Sequence, residues 1–423
     1  MSSLTLIGAH RAVSALLETR PKSWSVVRFK GLFDRLNQRN NELSHEMLSL
    51  RSTGEVVARA EMGGRQEPDE ASLPKYLIAE IDDLIVNPMW LIGGGIGVSR
   101  RAGAVSPDYR VFRSRGVLLP RFIHYLLRSQ PYLDQYVLYT RAQTTFDRRV
   151  QQPDLDNLPM PVPPLEEQRA IANYLDRETV RIDMLIEEQQ RLIEMLGERR
   201  AAMVDAALAP LSSWTRTALK HMLSGIDQGV SPQAEAGLAD EPGTWGVLKA
   251  GCVNRGVFRQ EEHKRLPNDF GFDPAIGVEV GDVIVSRANG SPDLVGSAAI
   301  VEHLDYRLIL SDKLFRLRPK HLVDPKFLAW GLNSGRYRVQ VRRAISGAEG
   351  LANNLPLSKL RAFEMHYPSL TEQRRIAAYL DGQTVKIDTL IAETWRFIEI
   401  SKERRTALIA AAVTGQIDVR EVV

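Results

Sequence analysis

The sequence predicts a mixed α/β protein built twice. Two tandem globular bodies each run into a long helix, and the two helices pair as an antiparallel coiled coil with internal pseudo-twofold symmetry. Three observations predict it. EEQRAIANYLD at 166–176 returns as TEQRRIAAYLD at 371–381, an offset of 205 residues, and the match runs without a gap from 165–208 onto 370–413. Weaker echoes precede each copy: WSVVRFKGLF (24–33) against WTRTALKHML (214–223) at offset 190, and IDDLIVNP (81–88) against VGDVIVSR (280–287) at offset 199. The drift in offset places insertions inside the bodies and none in the tails. A period this long, present twice, is a duplicated domain, since a solenoid stacks several short units.

The expected division is a first body over 1–160, a helical tail over 161–210, a second body over 211–365 and a second tail over 366–423. The first 20 residues, with AHRAVSALLET, find no counterpart in the second half. A chain of 423 residues is too long for one ordinary core. Its 44% hydrophobic and 25% charged residues are the balance of a soluble globular protein. No stretch approaches the roughly 20 apolar residues of a membrane span, and the N-terminus lacks a basic-then-apolar signal pattern. The single cysteine, Cys252, excludes an internal disulfide and a thiolate metal site and fits a cytoplasmic location. A net charge of +3 permits an anionic partner without demanding one.

The tails read as helices from their spacing. Ile182, Leu185, Gln189, Leu192, Leu196, Arg199 and Met203 step by three and four, as do Ile387, Leu390, Thr394, Phe397, Ser401, Arg404 and Leu408. The expected coiled-coil seam is therefore Ile182, Leu185, Leu192, Leu196 and Met203 against Ile387, Leu390, Phe397 and Leu408, with Ile186, Ile193, Ile391 and Ile398 widening the stripe. Ser369 and Glu372 form a capping-box pattern, and Gly415 is a stop. A break and restart is expected at Asp176–Thr179 and Asp381–Thr384. In the bodies, YLIAEI (76–81), DLIVN (83–87), GDVIVSR (281–287) and AAIVEHL (298–304) read as strands. RFIHYLLRSQPYLDQYVLY (121–139) and PKFLAWGLNSGRYRVQVRRAI (325–345) read as amphipathic helices.

No catalytic constellation appears. The chain has no GxxxxGK[ST], no HExxH, no GxSxG and no histidine cluster at metal-ligand spacing, so no catalytic or metal residue is expected. IGGGIG (92–97) does not fit GxGxxG and reads as a tight loop. Asn87-Pro88-Met89-Trp90 is similar to the Asn-Pro-Pro-aromatic motif of adenine methyltransferases. The glycine-rich methyl-donor motif is missing, however, and the second body has Ser286-Arg287 at the matching place.

Basic residues collect in both bodies. Arg100, Arg101, Arg110, Arg113 and Arg115 lie in a stretch whose only acid up to Arg128 is Asp108. Lys264, Arg265, Arg287, Asn289 and Lys313 are the candidates in the second body, in a zone that continues through Arg316, Arg318 and Lys320. A guanidinium fork suits phosphate and guanine. Any one of these arginines is more often a solvated surface residue; two clusters on two related bodies favour nucleic-acid contact.

Taken together, Pro163-Pro164-Leu165-Glu166-Glu167-Gln168, its echo Pro368-Ser369-Leu370-Thr371-Glu372-Gln373, GDVIVSRANG (281–290) with LVGSAAIVE (294–302), GAVSPDYRVFR (103–113) and VTGQIDVR (413–420) resemble the specificity subunit of type I restriction-modification systems. The resemblance covers nearly the whole chain. It implies that each body is a target recognition domain reading one half of a bipartite sequence in double-stranded DNA. It implies that the helices act as a ruler and dock two modification (methyltransferase) subunits, and it leaves open a motor-nuclease restriction subunit as a further partner. S-adenosylmethionine would be held by the modification subunits, with no cofactor in this chain, which would itself be non-catalytic. A coiled-coil adaptor with no DNA role is the alternative that the tails alone would support.

Overall fold

The computed structural model describes residues 13, 17–42, 45–63, 69–140, 148–267, 269–345 and 353–420. Its compact units do not follow chain order. Unit 1 comprises 1–190 with 395–423, and unit 2 comprises 191–394. Each unit thus holds one body and a piece of both long helices.

In unit 1, strand β1 (Ser25–Arg28) pairs with β6 (Pro159–Val162). The main sheet is four-stranded and antiparallel, in the order β2 (Phe33–Leu36), β5 (Arg110–Ser114), β3 (Leu84–Val86), β4 (Ile96–Val98). Helices α1 (Pro120–Leu127) and α2 (Gln130–Tyr139) follow the sheet. They bury Phe122, Ile123, Leu126, Tyr132 and Tyr136 with Phe29 and Phe112. The first long helix, α3, runs over Leu165–Ala207.

Unit 2 repeats the plan. Strand β7 (Thr215–Ala218) pairs with β12 (Glu364–Tyr367). The main sheet is β8 (Leu223–Gln228), β11 (Leu314–Pro319), β9 (Val283–Ser286), β10 (Ala298–Ile300), again antiparallel. Helices α4 (Pro325–Gly331) and α5 (Gly335–Ala344) precede the second long helix, α6 (Leu370–Thr414). The sheet's apolar face, with Val283, Val285, Phe315 and Leu317, packs on Leu328, Leu332, Tyr337 and Val341.

Each amphipathic stretch read as one helix is two. Ser129 and Ser334 stand at the joints, their hydroxyls donating to Leu126 O (2.8 Å) and Gly331 O (2.7 Å). Pro131 at the start of α2 lacks an amide hydrogen and cannot sit inside a continuing helix. The expected break in the long helices is absent: α3 has 43 residues and α6 has 45, without interruption. Thr179 and Thr384 do not cap. Their hydroxyls donate to the carbonyls four residues back, Leu175 O at 2.7 Å and Leu380 O at 2.6 Å, which leaves the helix ladder intact. Asp176 and Asp381 are turned outward to α1 and α4. Tyr125 Oη donates to Asp176 at 2.6 Å and Trp330 Nε1 to Asp381 at 2.8 Å. Arg121 and Lys326 add a cation to each. Burial and the bond to Asp176 push the Tyr125 hydroxyl up to about 12, so it remains a donor.

A buried side chain of each long helix also ties it to the backbone of its body. Gln168 is fully buried; its Oε1 accepts from Leu119 N (2.7 Å) and its Nε2 donates to Val117 O (3.0 Å) and Pro163 O (2.9 Å). Gln373 is equally buried and accepts from Asp324 N (2.8 Å) while donating to Leu322 O (3.0 Å) and Pro368 O (2.9 Å). Every partner is displaced by the same 205 residues. The phrase that repeats in the sequence therefore repeats as a joint.

The seam of the long helices differs from the expected one at alternate positions. Between Ile182 and Met203 the less exposed residues are Ile182, Ile186, Gln189, Ile193, Leu196, Arg200 and Met203; between Ile387 and Leu408 they are Ile387, Ile391, Thr394, Ile398, Ser401, Arg405 and Leu408. Ile182, Leu196, Met203, Ile387 and Leu408 stand where expected. Leu185, Leu192, Leu390 and Phe397 do not: they are 37%, 36%, 49% and 45% exposed. From the same first position a heptad can step three-then-four or four-then-three, and here both rows are apolar, so periodicity does not choose. The seam takes the β-branched row. The helix segments run antiparallel within each unit. In unit 2, Arg200 bonds Asp388 (3.0 Å) while Val204 and Leu208 pack with Ile376, Ala377 and Leu380. In unit 1, Arg405 bonds Asp183 (3.0 Å) while Ala412 and Val413 pack with Ile171 and Leu175. These two ion pairs are one interaction seen twice, since 183 and 200 map onto 388 and 405.

The chain ends α6 at Gly415, whose φ of 76° provides the left-handed stop. A Cβ there would lie 2.3 Å from Pro21 Cδ, so only glycine admits this approach. Beyond it Val419 is buried in unit 1 with Leu17 and Trp24, and Trp24 Nε1 donates to Glu167 (2.6 Å).

Two outcomes check this description. Gln168→Ala orphans a buried amide and two carbonyls and is expected to cost about 2–4 kcal/mol. Gln373→Ala should cost the same. Hydrogen exchange at the amides of Leu119 and Asp324 reports each joint separately. For the seam, Ile398→Ala is expected to destabilise unit 1 by about 2–4 kcal/mol in denaturant unfolding, while its neighbour Phe397→Ala changes stability by less than about 1 kcal/mol.

Candidate nucleic-acid interface

The ten candidate residues separate into those the fold uses and those it presents. Arg113 on β5 forms a bidentate pair with Asp83, Nε and Nη2 each 2.9 Å from a carboxylate oxygen; the Asp83 side chain is buried and also accepts from Glu80 N at 2.8 Å. The same device recurs in unit 2 as Arg316 on Asp282 (3.1 Å), with Asp282 accepting from Glu279 N at 2.9 Å. Arg316 is buried and also bonds Asp227. Arg115 forks onto Asp34 (2.7 Å), and Arg318 donates through Nε to Asp227 (2.6 Å). Arg110 is buried, donating to Val150 O at 3.0 Å; burial, then the charges of Arg35 and Arg149, push its guanidinium down to about 10. These three arginines hold the sheet edge and the loops beside it.

Others face solvent. Arg100 lies exposed in the loop after β4; Lys264, on the strand His263–Arg265, and Lys313, just before β11, are exposed as well. None of the three has a side-chain hydrogen bond or ion pair among the described residues. Arg101 pairs with Glu61 (2.9 Å) and Arg265 with Glu241 (3.3 Å), both at the surface. Arg287 donates to Asp312 O (3.0 Å) and lies over the Phe315 ring, and Asn289 Nδ2 donates to Asn254 Oδ1 (3.3 Å). Lys313 and Arg287 are adjacent through the bond from Arg287 N to Lys313 O (2.8 Å).

Asn87 is turned inward on its own loop, its Oδ1 accepting from Met89 N at 3.2 Å. An amide held this way is an Asx-type turn, a structural use that accounts for the Asn-Pro phrase. IGGGIG is the tight loop expected, with a short 3₁₀ turn over Leu91–Gly93 and Gly94 at a φ of 79°. Among the described residues no group of three His, Cys, Asp or Glu is placed to hold a metal, and no helix is long and apolar enough to cross a membrane.

Sequence reasoning missed the joint residues. Gln168 and Gln373 were visible as repeats, but their partners at 117, 119, 322 and 324 are backbone groups that carry no side-chain signal. It also missed that the aligned acids Asp83 and Asp282 each hold an arginine of the matching strand, Arg113 on β5 and Arg316 on β11, although by strand register Arg113 matches Arg318 and Arg316 lies two residues earlier.

No family model matches the chain. Over 172 residues it is 27% identical to the specificity subunit of the type I restriction enzyme EcoEI from Escherichia coli, covering 40% of this chain and 28% of that protein. Over 169 residues it is 29% identical to the StySPI specificity subunit from Salmonella potsdam, covering 40% and 36%. The matched stretch thus spans about a third of these curated relatives. In fold, a chain from a structure of a type I R-M system, solved to explain complex assembly and conformational transition, superposes with a TM-score of 0.69 at 19% identity over 94% of this chain and 100% of that one. The HsdS subunit from Thermoanaerobacter tengcongensis superposes with a TM-score of 0.55 at 18% identity over 94% and 98%. Over two-fifths of its length the chain is similar in sequence to type I restriction-enzyme specificity subunits, and over nearly all of it similar in fold to the chains of these two structures.

Proposed function

We propose that this chain is the sequence-specific DNA-recognition subunit of a type I restriction-modification complex. Each body, over about 21–160 and 211–365, reads one half of a bipartite duplex target. The helical spacers over 161–210 and 366–423 set the distance between half-sites and dock two methyltransferase subunits. Those subunits hold S-adenosylmethionine and carry the chemistry in the cytoplasm; this chain binds and positions.

The observation that carries this reading is that two diverged bodies are fastened to their helices by the same bonds. A protein that needed one surface twice would keep both bodies alike. A protein that reads two different base sequences keeps the joint and varies the body, because base-edge readout needs different side chains for each sequence. The helices support a partner present in two copies. Leu185 and Leu192 lie exposed on α3, and Leu390 and Phe397, at the positions 205 residues on, lie exposed on α6. Apolar side chains repeated in this way on helix surfaces suit two equivalent copies of one apolar partner surface.

Two experiments test the reading. In the complex reconstituted with its modification subunits, Arg100→Ala, Lys264→Ala and Lys313→Ala should each weaken binding to all DNA sequences alike and reduce the salt slope by about 1. DNA binding that is absent, or insensitive to salt, leaves the adaptor reading instead. Arg113→Ala is unsuitable for this purpose, since it strips the buried Asp83 of its partner. For docking, Leu192→Asp and Phe397→Asp should each remove one methyltransferase copy, and together both, as read by native mass spectrometry. Two copies retained on the double variant would place the docking surface elsewhere.

A further inference from the structure

The duplicated frame makes it possible to ask which surface positions coincide in place and differ in chemistry. The loop after β3 and the loop after β9 are built on matching bonds. Asn87 N donates to Gly95 O (2.7 Å), and Ser286 N to Ser297 O (2.8 Å). Val150 N reaches back to Pro88 O (3.0 Å), and Leu355 N to Arg287 O (2.8 Å). Trp90 therefore corresponds to Asn289. The residue two before each returning amide corresponds as well: Arg148 to Asn353.

On this common frame the two loops present different groups. In unit 1 the Trp90 indole is 49% exposed, yet it is not loose. Its carbonyl accepts from Gly93 N (3.0 Å) and Gly95 N (2.9 Å), and a Cβ on Gly93 would lie 2.6 Å from its Nε1. In unit 2 Asn289 and Asn353 face each other as register partners in a two-residue strand pair. Lys313, exposed and unpaired among the described residues, stands beside that edge. A half-exposed indole on a backbone pinned by two amides is a stacking and methyl-contact group, and the arginine at the position matching Asn353 is a guanine or phosphate fork. Asparagine amides pair with adenine through two hydrogen bonds; Asn289 donates once to Asn254 and accepts once from Ser291 N, and Asn353 donates once to Gly290 O, so each amide keeps one further hydrogen and one further lone pair for a base.

We propose that these loops are the base-reading edges of the two units, with Trp90 and Arg148 determining one half-site and Asn289 and Asn353 the other. This rests on the proposed function and goes further by naming the residues. The Asn-Pro-Met-Trp phrase, which resembles a methyltransferase motif, is on this reading the unit 1 version of the unit 2 recognition loop.

The test uses the full chain in its complex, mapping the methylated motif in cells and measuring binding to matched and singly mismatched duplexes over a range of salt. Asn289→Ala and Asn353→Ala should each lower the preference for the correct base at one position about ten- to a hundred-fold. That position should lie in one half-site only, with the salt slope unchanged. Trp90→Ala should do the same in the other half-site, with Trp90→Phe, which keeps a stacking ring and the fold, retaining most of the preference. Variants that melt like the parent and methylate the parental motif with undiminished preference would overturn the inference. So would a uniform loss of affinity with a smaller salt slope, which marks a phosphate contact. A parent complex with no two-part preference would instead remove the proposed function.

Discussion

The structure depends on one buried glutamine used twice. A primary amide can accept one bond and donate two in a single plane, and Gln168 and Gln373 do this against three backbone groups each. Two of those groups belong to the loop that enters α1 or α4, and the third to the proline-marked turn that opens the long helix. The joint thus fixes where a body sits on its helix without relying on any side chain of the body. Substitutions in a body leave these particular bonds intact provided that its backbone passes the same point. Nearby, Asp176 and Asp381 accept from a tyrosine in one unit and a tryptophan in the other, which shows how far side chains vary while the bond is kept.

Much of this was legible in the sequence because a repeat of 44 residues without a gap is hard to mistake. The doubled architecture, the strands at 77–79, 84–86, 283–286 and 298–300, and the stop at Gly415 all follow from pattern. The choice of seam did not. Leu185, Leu192, Leu390 and Phe397 are as apolar as the isoleucines beside them, and only the observed burial distinguishes the row that faces the partner helix from the row that does not. The predicted helix break failed for a related reason: Thr179 and Thr384 belong to a residue type that caps helices, but a threonine inside a helix can satisfy its hydroxyl on the preceding turn.

The candidate site was the least legible part. Charge composition counted residues that the fold itself uses, since Arg110, Arg113 and Arg115 are spent on Val150, Asp83 and Asp34. An arginine that holds a sheet together and one that meets a phosphate look alike in a sequence. They part company only when the acid across the sheet is known. The repeat supplies that knowledge indirectly, because the pair Asp83–Arg113 and the pair Asp282–Arg316 occupy matching strands. What recurs with its partner is framework, and on the proposed reading what occupies the same place without recurring is where recognition is written.

The outer row of the long helices bears on how the protein must be made. On the proposed docking, Leu192, Phe397 and their neighbours cost little while a partner covers them, but a chain synthesised ahead of that partner would expose two equivalent apolar stripes at once. Two sticky faces on one molecule permit chains of contacts as well as closed pairs. The abundance of such a chain is therefore best held at or below that of the subunits that cover it, and surplus copies are the expected substrates of aggregation and proteolysis.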